Sequence, residues 1–93
     1  MAIAEQQTLV KNRLGLHARP AAAFVKLANR FTSEISVVKD GMTVNGKSIM
    51  GVMTLAAECG SELTIRADGD DATAAVESLA GLVQRQFELA EEA

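Results

Sequence analysis

Two periods of apolar residues divide this chain into its elements. Ile35 and Val37 alternate with polar neighbours in "EISVVKDGMTV", and Leu63, Ile65 and Ala67 do the same in "SELTIRA". A period of two is the signature of a half-buried strand. Ala21, Phe24, Ala28 and Phe31 recur at helical spacing, as do Ala75, Val76, Leu79, Leu82, Val83 and Phe87. The pattern predicts a strand from about Gln7 to Asn12, carried by the Thr-Leu-Val run, and a helix from about Ala18 to Arg30. Pro20 falls in that helix's first turn, where a missing N–H costs nothing. A hairpin follows, turned at Asp40-Gly41, a strong two-residue turn signal. Asn45-Gly46 turns the chain again. Ser48 stands where an N-cap serine would open a short helix, kept brief by Gly51. A strand over "SELTIRA" leads to "DGDD", which supplies an acidic N-cap for a last helix from about Ala72 to Ala90.

The order is thus β-α-β-β-α-β-α, an α+β arrangement in which helices cover one face of an antiparallel or mixed four-stranded sheet. Ninety-three residues make one small domain, residues 1–93. Much of the 48% hydrophobic content is alanine, with three Phe and no Trp or Tyr, so the core is small and any site is shallow. Cys59 is alone and cannot form an internal disulfide, which fits a reducing compartment. No signal peptide and no apolar run of about 20 residues is seen. These features predict a cytoplasmic protein without membrane association.

Charge changes the picture at one place. The net charge is −3, against general nucleic-acid binding, and Phe24 is the only aromatic between Lys11 and Arg30. Yet from Gln6 to Ser33 there are five bases and no acid, whereas from Asp68 onward there are seven acids and one base. The basic stretch suits an anionic ligand or an acidic partner. At its centre lies "LGLHARPAAAF", with the only histidine and the only proline of the chain. Histidine is a poor N-cap residue, so helix construction alone does not explain His17. A helix N-terminus binds phosphate through its exposed N–H groups, here those of Ala18 and Arg19. The Arg19 guanidinium can grip phosphate oxygens bidentately, and a neutral imidazole is a competent nucleophile. No second histidine or cysteine pair supports a metal, and no cofactor is implied.

"GLHARPAAAFV" together with "KSIMGVM" resembles the HPr family, the histidine phosphocarriers of the bacterial phosphoenolpyruvate-dependent sugar phosphotransferase system. The similarity runs along nearly the whole chain, and Gly15, His17, Arg19 and Pro20 all match in place. The resemblance implies an open-faced β-sandwich, a four-stranded antiparallel sheet covered on one face by three helices. It further implies that His17 takes a phosphoryl group on Nδ1 from enzyme I and passes it to EIIA domains, with Arg19 stabilising the phosphohistidine. Such a carrier is no enzyme by itself, and a monomer suits it.

Ser48 has two compatible readings, a helix N-cap and, by resemblance, the serine modified by HPr kinase/phosphorylase. Ile49, Met50 and Met53 form an apolar stripe that in a typical domain belongs to the core. In a short helix part of it can face solvent, and the family docks its partners there, with Lys26 alongside; Met50 is the residue expected to be exposed. Two departures stand out: Ala18 where many relatives have Thr, and Ala56-Ala57 where many carry a glycine after the short helix. The alternative function is a mainly regulatory module, modified at Ser48 and binding a transcriptional regulator or enzyme, with His17 secondary.

Overall fold

The computed structural model describes residues 2–88. Its elements are β1 (Ile3–Leu9), α1 (Ala18–Ala28), β2 (Glu34–Lys39), β3 (Met42–Asn45), α2 (Ile49–Thr54), β4 (Glu62–Asp68) and α3 (Ala72–Gln84), followed by a 3-10 turn at Gln86–Glu88. The four strands form one sheet in the order β1-β4-β2-β3. Every neighbouring pair is antiparallel, with Ile65 of β4 opposite Gln6 on one side and Val37 on the other. The alternative of a mixed sheet is thereby closed.

Alternation decides what each strand buries. Leu63, Ile65 and Ala67 of β4 and Ile35 and Val37 of β2 point into the core, while Glu5, Glu34 and Arg66 stay on the open, solvated face. Helix α3 lies across β1 and β4, and α1 packs against both α2 and α3. Alanines at 21, 28, 72, 75 and 80 are fully buried, which lets these elements approach closely, and Phe24 is the largest side chain sealed between them. Residues 40 and 41 join β2 to β3 with both φ angles positive, 50° at Asp40 and 83° at Gly41. That is the turn whose twist matches a β-hairpin.

Four expectations are corrected. First, β1 starts at Ile3 and ends at Leu9, not at Asn12. Its inward positions are Ala4, Gln6 and Thr8, too polar to announce a strand. The Leu9-Val10 run that suggested it straddles the strand's end. Second, α1 stops at Ala28, with Asn29 as its C-cap, two residues before Arg30.

Third, α3 stops at Gln84, and the part of the expected helix at residues 89–90 lies outside the described residues. Phe87 is buried, but not on the helix's own face. The backbone turns left-handed at Gln86 and Phe87, with φ of 56° and 59°, and folds the ring back into the core. Two left-handed residues cost about 2–4 kcal/mol, and burying the phenylalanine ring offsets about 1.5–3 kcal/mol of that.

Fourth, Asp71 occupies the N-cap position of α3 but makes no capping hydrogen bond. Its carboxylate instead accepts from the Ser33 hydroxyl at 2.5 Å and from the backbone N–H groups of Thr32 and Ser33 at 2.9 and 3.0 Å. The hydroxyl bond foremost, then the Thr32 amide, hold the carboxyl down at about 2, against an ordinary 3.8. Asp71 thereby ties the loop after α1 to the loop after β4.

Candidate functional site

The loop between β1 and α1 is built around two residues that hold its shape. Asn12 is fully buried and donates from Nδ2 to the Gly15 carbonyl at 2.6 Å, while Gly15 N–H donates to the Asn12 carbonyl at 3.1 Å. Gly15 has φ of +72°, and a Cβ there would be driven into the Ala57 carbonyl oxygen. That same oxygen accepts from Leu16 N–H at 2.9 Å, so the loop is clamped to the segment following α2. Only glycine combines the left-handed backbone with so close an approach.

His17 emerges from this clamp at the N-cap of α1, with extended backbone angles of −83° and −169°. Its N–H donates to the Gly15 carbonyl at 3.0 Å and its carbonyl accepts from Ala21 N–H, also at 3.0 Å. The imidazole makes no capping bond. Its Nε2 is buried without a hydrogen-bond partner in the protein, and the residue as a whole is half-buried. Pro20 contributes no donor to the helix's first turn, and the Ala21 amide is committed to His17. The N–H groups presented at the helix end are those of Ala18 and Arg19, two exposed residues. The partial positive charge of a helix N-terminus thus meets the ring on a solvent-facing surface.

Helix α2 packs beside α1. Ser48 caps it, Oγ accepting from Gly51 N–H at 3.0 Å, with the backbone extended at the cap. Helix α2 buries Val52, with Leu55 beyond its end; Met50 is 80% exposed, as expected, and Ile49 and Met53 are also exposed. The stripe is therefore an outward apolar face of α2. Lys26 is exposed on α1, in the last turn of that helix.

Surface depressions of about 460 Å³ beside Ser36 and Asn45 and about 440 Å³ between Leu27 and Leu82 both leave His17 outside. Among the described residues no group of His, Cys, Asp or Glu gathers to hold a metal ion, and no helix is long and apolar enough to cross a membrane. Cys59 is exposed, its thiol 3.6 Å from the Lys11 carbonyl oxygen. The sequence singles out His17, Arg19 and Ser48 as candidates by their residue type, whereas Asn12 does not stand out. Its signal was an asparagine three residues before a glycine, a spacing suited to a side-chain-to-backbone turn.

Comparison with known proteins places this geometry in a lineage. The family model for the PTS HPr component phosphorylation site matches residues 4–85. The phosphocarrier protein HPr of Treponema pallidum is 53% identical over 79 residues, covering 85% of this chain and 90% of its own. The crystal structure of a phosphocarrier protein HPr from Bacillus anthracis superposes with a TM-score of 0.82 at 51% identity, covering 87% of this chain and 96% of its own. The catabolite repression protein Crh of Bacillus subtilis, described as a domain-swapped dimer, gives 0.73 at 52% identity, covering 87% and 93%. With its histidine at a helix N-terminus, its four-stranded open-faced sheet and this coverage, the chain belongs to the HPr family of phosphotransferase-system phosphocarriers.

Proposed function

We propose that His17 is the residue through which this carrier works: Nδ1 accepts a phosphoryl group from enzyme I and releases it to EIIA domains. The observation that supports this is the ring's placement at the N-cap of α1 with Nε2 buried, an arrangement that leaves Nδ1 as the nitrogen to react. In the forward step the Nδ1 lone pair attacks phosphorus as the bond to the donor's leaving nitrogen breaks. That nitrogen keeps the electron pair, and the reverse exchange delivers the group onward. No water enters and no proton need leave Nε2. The Ala18 and Arg19 amides and the Arg19 guanidinium stabilise the charge on the phosphoryl oxygens. Transfer of this kind is mostly positioning and electrostatics, and the partner enzymes supply the remainder from their own surfaces. An open site suits this, because each partner must bring its own phosphoryl group to within bonding distance.

The proposed docking surface joins Ile49, Met50 and Met53 of α2 to Lys26 of α1. Methionine adapts to several partners, and the cation favours acidic ones. Ser48 is proposed as a regulatory site for HPr kinase/phosphorylase. A phosphate on it adds about −1.5 to −2 charge beside the docking face, with its oxygens still able to accept from Gly51 N–H. The protein is read as a cytoplasmic, single-domain monomer. Sedimentation tests this against a dimer of the type described for Crh.

The test is incubation with enzyme I and labelled phosphoenolpyruvate. Label that is acid-labile, alkali-stable and lost in His17→Ala supports the carrier reading, and persistent acid-labile label in that variant refutes it. A second reading, a mainly regulatory module binding a transcriptional regulator, is favoured by the similarity to Crh. It requires label on Ser48 from the kinase with none on His17 from enzyme I.

A further inference from the structure

Two buried polar atoms at either end of the β1–α1 loop are left without partners, and they are chemically complementary. Asn12 Oδ1 is an acceptor; His17 Nε2, when protonated, is a donor. The orientation of the Asn12 amide is fixed, because the Gly15 carbonyl requires a donor and receives Nδ2 at 2.6 Å. Oδ1 is therefore the atom of the amide left without a partner. The same Gly15 oxygen also accepts from His17 N–H at 3.0 Å. One carbonyl thus holds both the amide of Asn12 and the backbone of His17, on a loop pinned by Gly15 and Leu16 to Ala57.

An unpaired buried polar group costs about 1–3 kcal/mol, and two of opposite kind in one loop are the setting in which an internal water settles. We infer that Asn12 is a positioning residue for phosphoryl transfer: its Oδ1, through a buried bridging water, accepts from His17 Nε2–H and so fixes the tautomer that leaves Nδ1 bare. The inference rests on the reading of His17 Nδ1 as the phosphoryl acceptor. It adds that the ring's other nitrogen is managed by a side chain five residues upstream. A hydrogen bond at one imidazole nitrogen selects which nitrogen carries the proton. A net bond worth of about 1 kcal/mol corresponds to roughly a five-fold shift in that equilibrium.

The experiment is nitrogen-detected NMR of the imidazole in the unphosphorylated protein, with no enzyme I present. The wild-type ring is expected as the Nε2–H tautomer, with an Hε2 proton slow enough in exchange to be observed. Asn12→Ala is expected to lower the Nε2–H to Nδ1–H ratio about five-fold and to expose Hε2 to rapid exchange. A folded Asn12→Ala protein with unchanged tautomer ratio and unchanged Hε2 exchange overturns the inference. Should Asn12→Ala not fold, a wild-type ring that is chiefly Nδ1–H, or whose Hε2 exchanges as freely as an exposed one, overturns it alone. Enzyme I labelling is a separate measurement: its failure in wild type removes the acceptor role of His17 and leaves the tautomer result readable.

Discussion

Replacing Gly15 with alanine tests how the loop holds His17. Two costs are separable. The backbone at Gly15 has φ of +72°, and an alanine in the left-handed region loses about 1–2 kcal/mol, less roughly 0.4–1 kcal/mol regained by restricting the unfolded chain. The added methyl also collides with backbone, the Ala57 carbonyl oxygen, with Glu58 Cα only 3.0 Å away. Backbone cannot rotate aside as a side-chain tip can, and overpacking of this kind costs about 1–3 kcal/mol. The sum is roughly 1–5 kcal/mol. Gly41 supplies the control, for its φ is +83° and a Cβ there meets nothing within 4 Å. Gly41→Ala carries the backbone cost alone.

The assay is urea denaturation of wild type and both variants, followed by circular dichroism because the chain has no Trp or Tyr. Gly15→Ala is expected to lose about 1–3 kcal/mol more than Gly41→Ala. The loop can relieve its clash only by releasing the Leu16 to Ala57 hydrogen bond, which shifts His17. A misplacement near 1 Å can cost on the order of 100-fold in rate, so labelling by enzyme I should slow well beyond any loss of folded protein. Equal destabilisation by the two variants, with wild-type labelling in Gly15→Ala, refutes the reasoning.

Other expectations follow from single residues. Ala56 sits at φ of +52°, so Ala56→Gly should stabilise by about 0.5–1 kcal/mol, the left-handed relief less the extra unfolded entropy, read from the same denaturation curves. The low carboxyl of Asp71 gives stability that is fully present above about pH 4 and is lost as pH falls through about 2, since its folded value lies below its ordinary 3.8. Asp71→Asn should be less stable than wild type at neutral pH, with the difference shrinking across that window in acid titration. Phe24→Ala should cost about 3–5 kcal/mol, seen as the largest midpoint shift of the series. Met50→Ala should leave stability within about 0.5 kcal/mol while raising the KM of enzyme I for the carrier several-fold, measured by initial rates of labelling.

How far the sequence announced this molecule depends on whether a residue's task shows in its own type. Leu63, Ile65 and Ala67 are apolar because their face is buried, and β4 was legible from them. Asp40-Gly41 was legible because few other pairs adopt two positive φ angles cheaply. β1 was misplaced because its inward residues include Gln6 and Thr8, tolerated at a sheet edge covered by α3, so periodicity had nothing to detect. Phe87 fits the helical spacing of α3 by number alone; its burial comes through a left-handed turn that spacing does not encode. Asp71 looked like a cap, since a cap is decided locally, but Ser33 lies 38 residues away and no local rule could bring it there. The site divides along the same line. His17, Arg19 and Pro20 reveal themselves because a titratable ring, a guanidinium and a proline at a helix start are each unusual. Asn12 and Ala57 act by where they stand, one through an amide held to Gly15 and the other through a carbonyl. The groups that transfer charge are thus written in side-chain chemistry, whereas the groups that aim them belong largely to the backbone. A relative that kept "LHARP" but altered the Asn12–Gly15 clamp would read alike in its motif and is expected to carry phosphate more slowly.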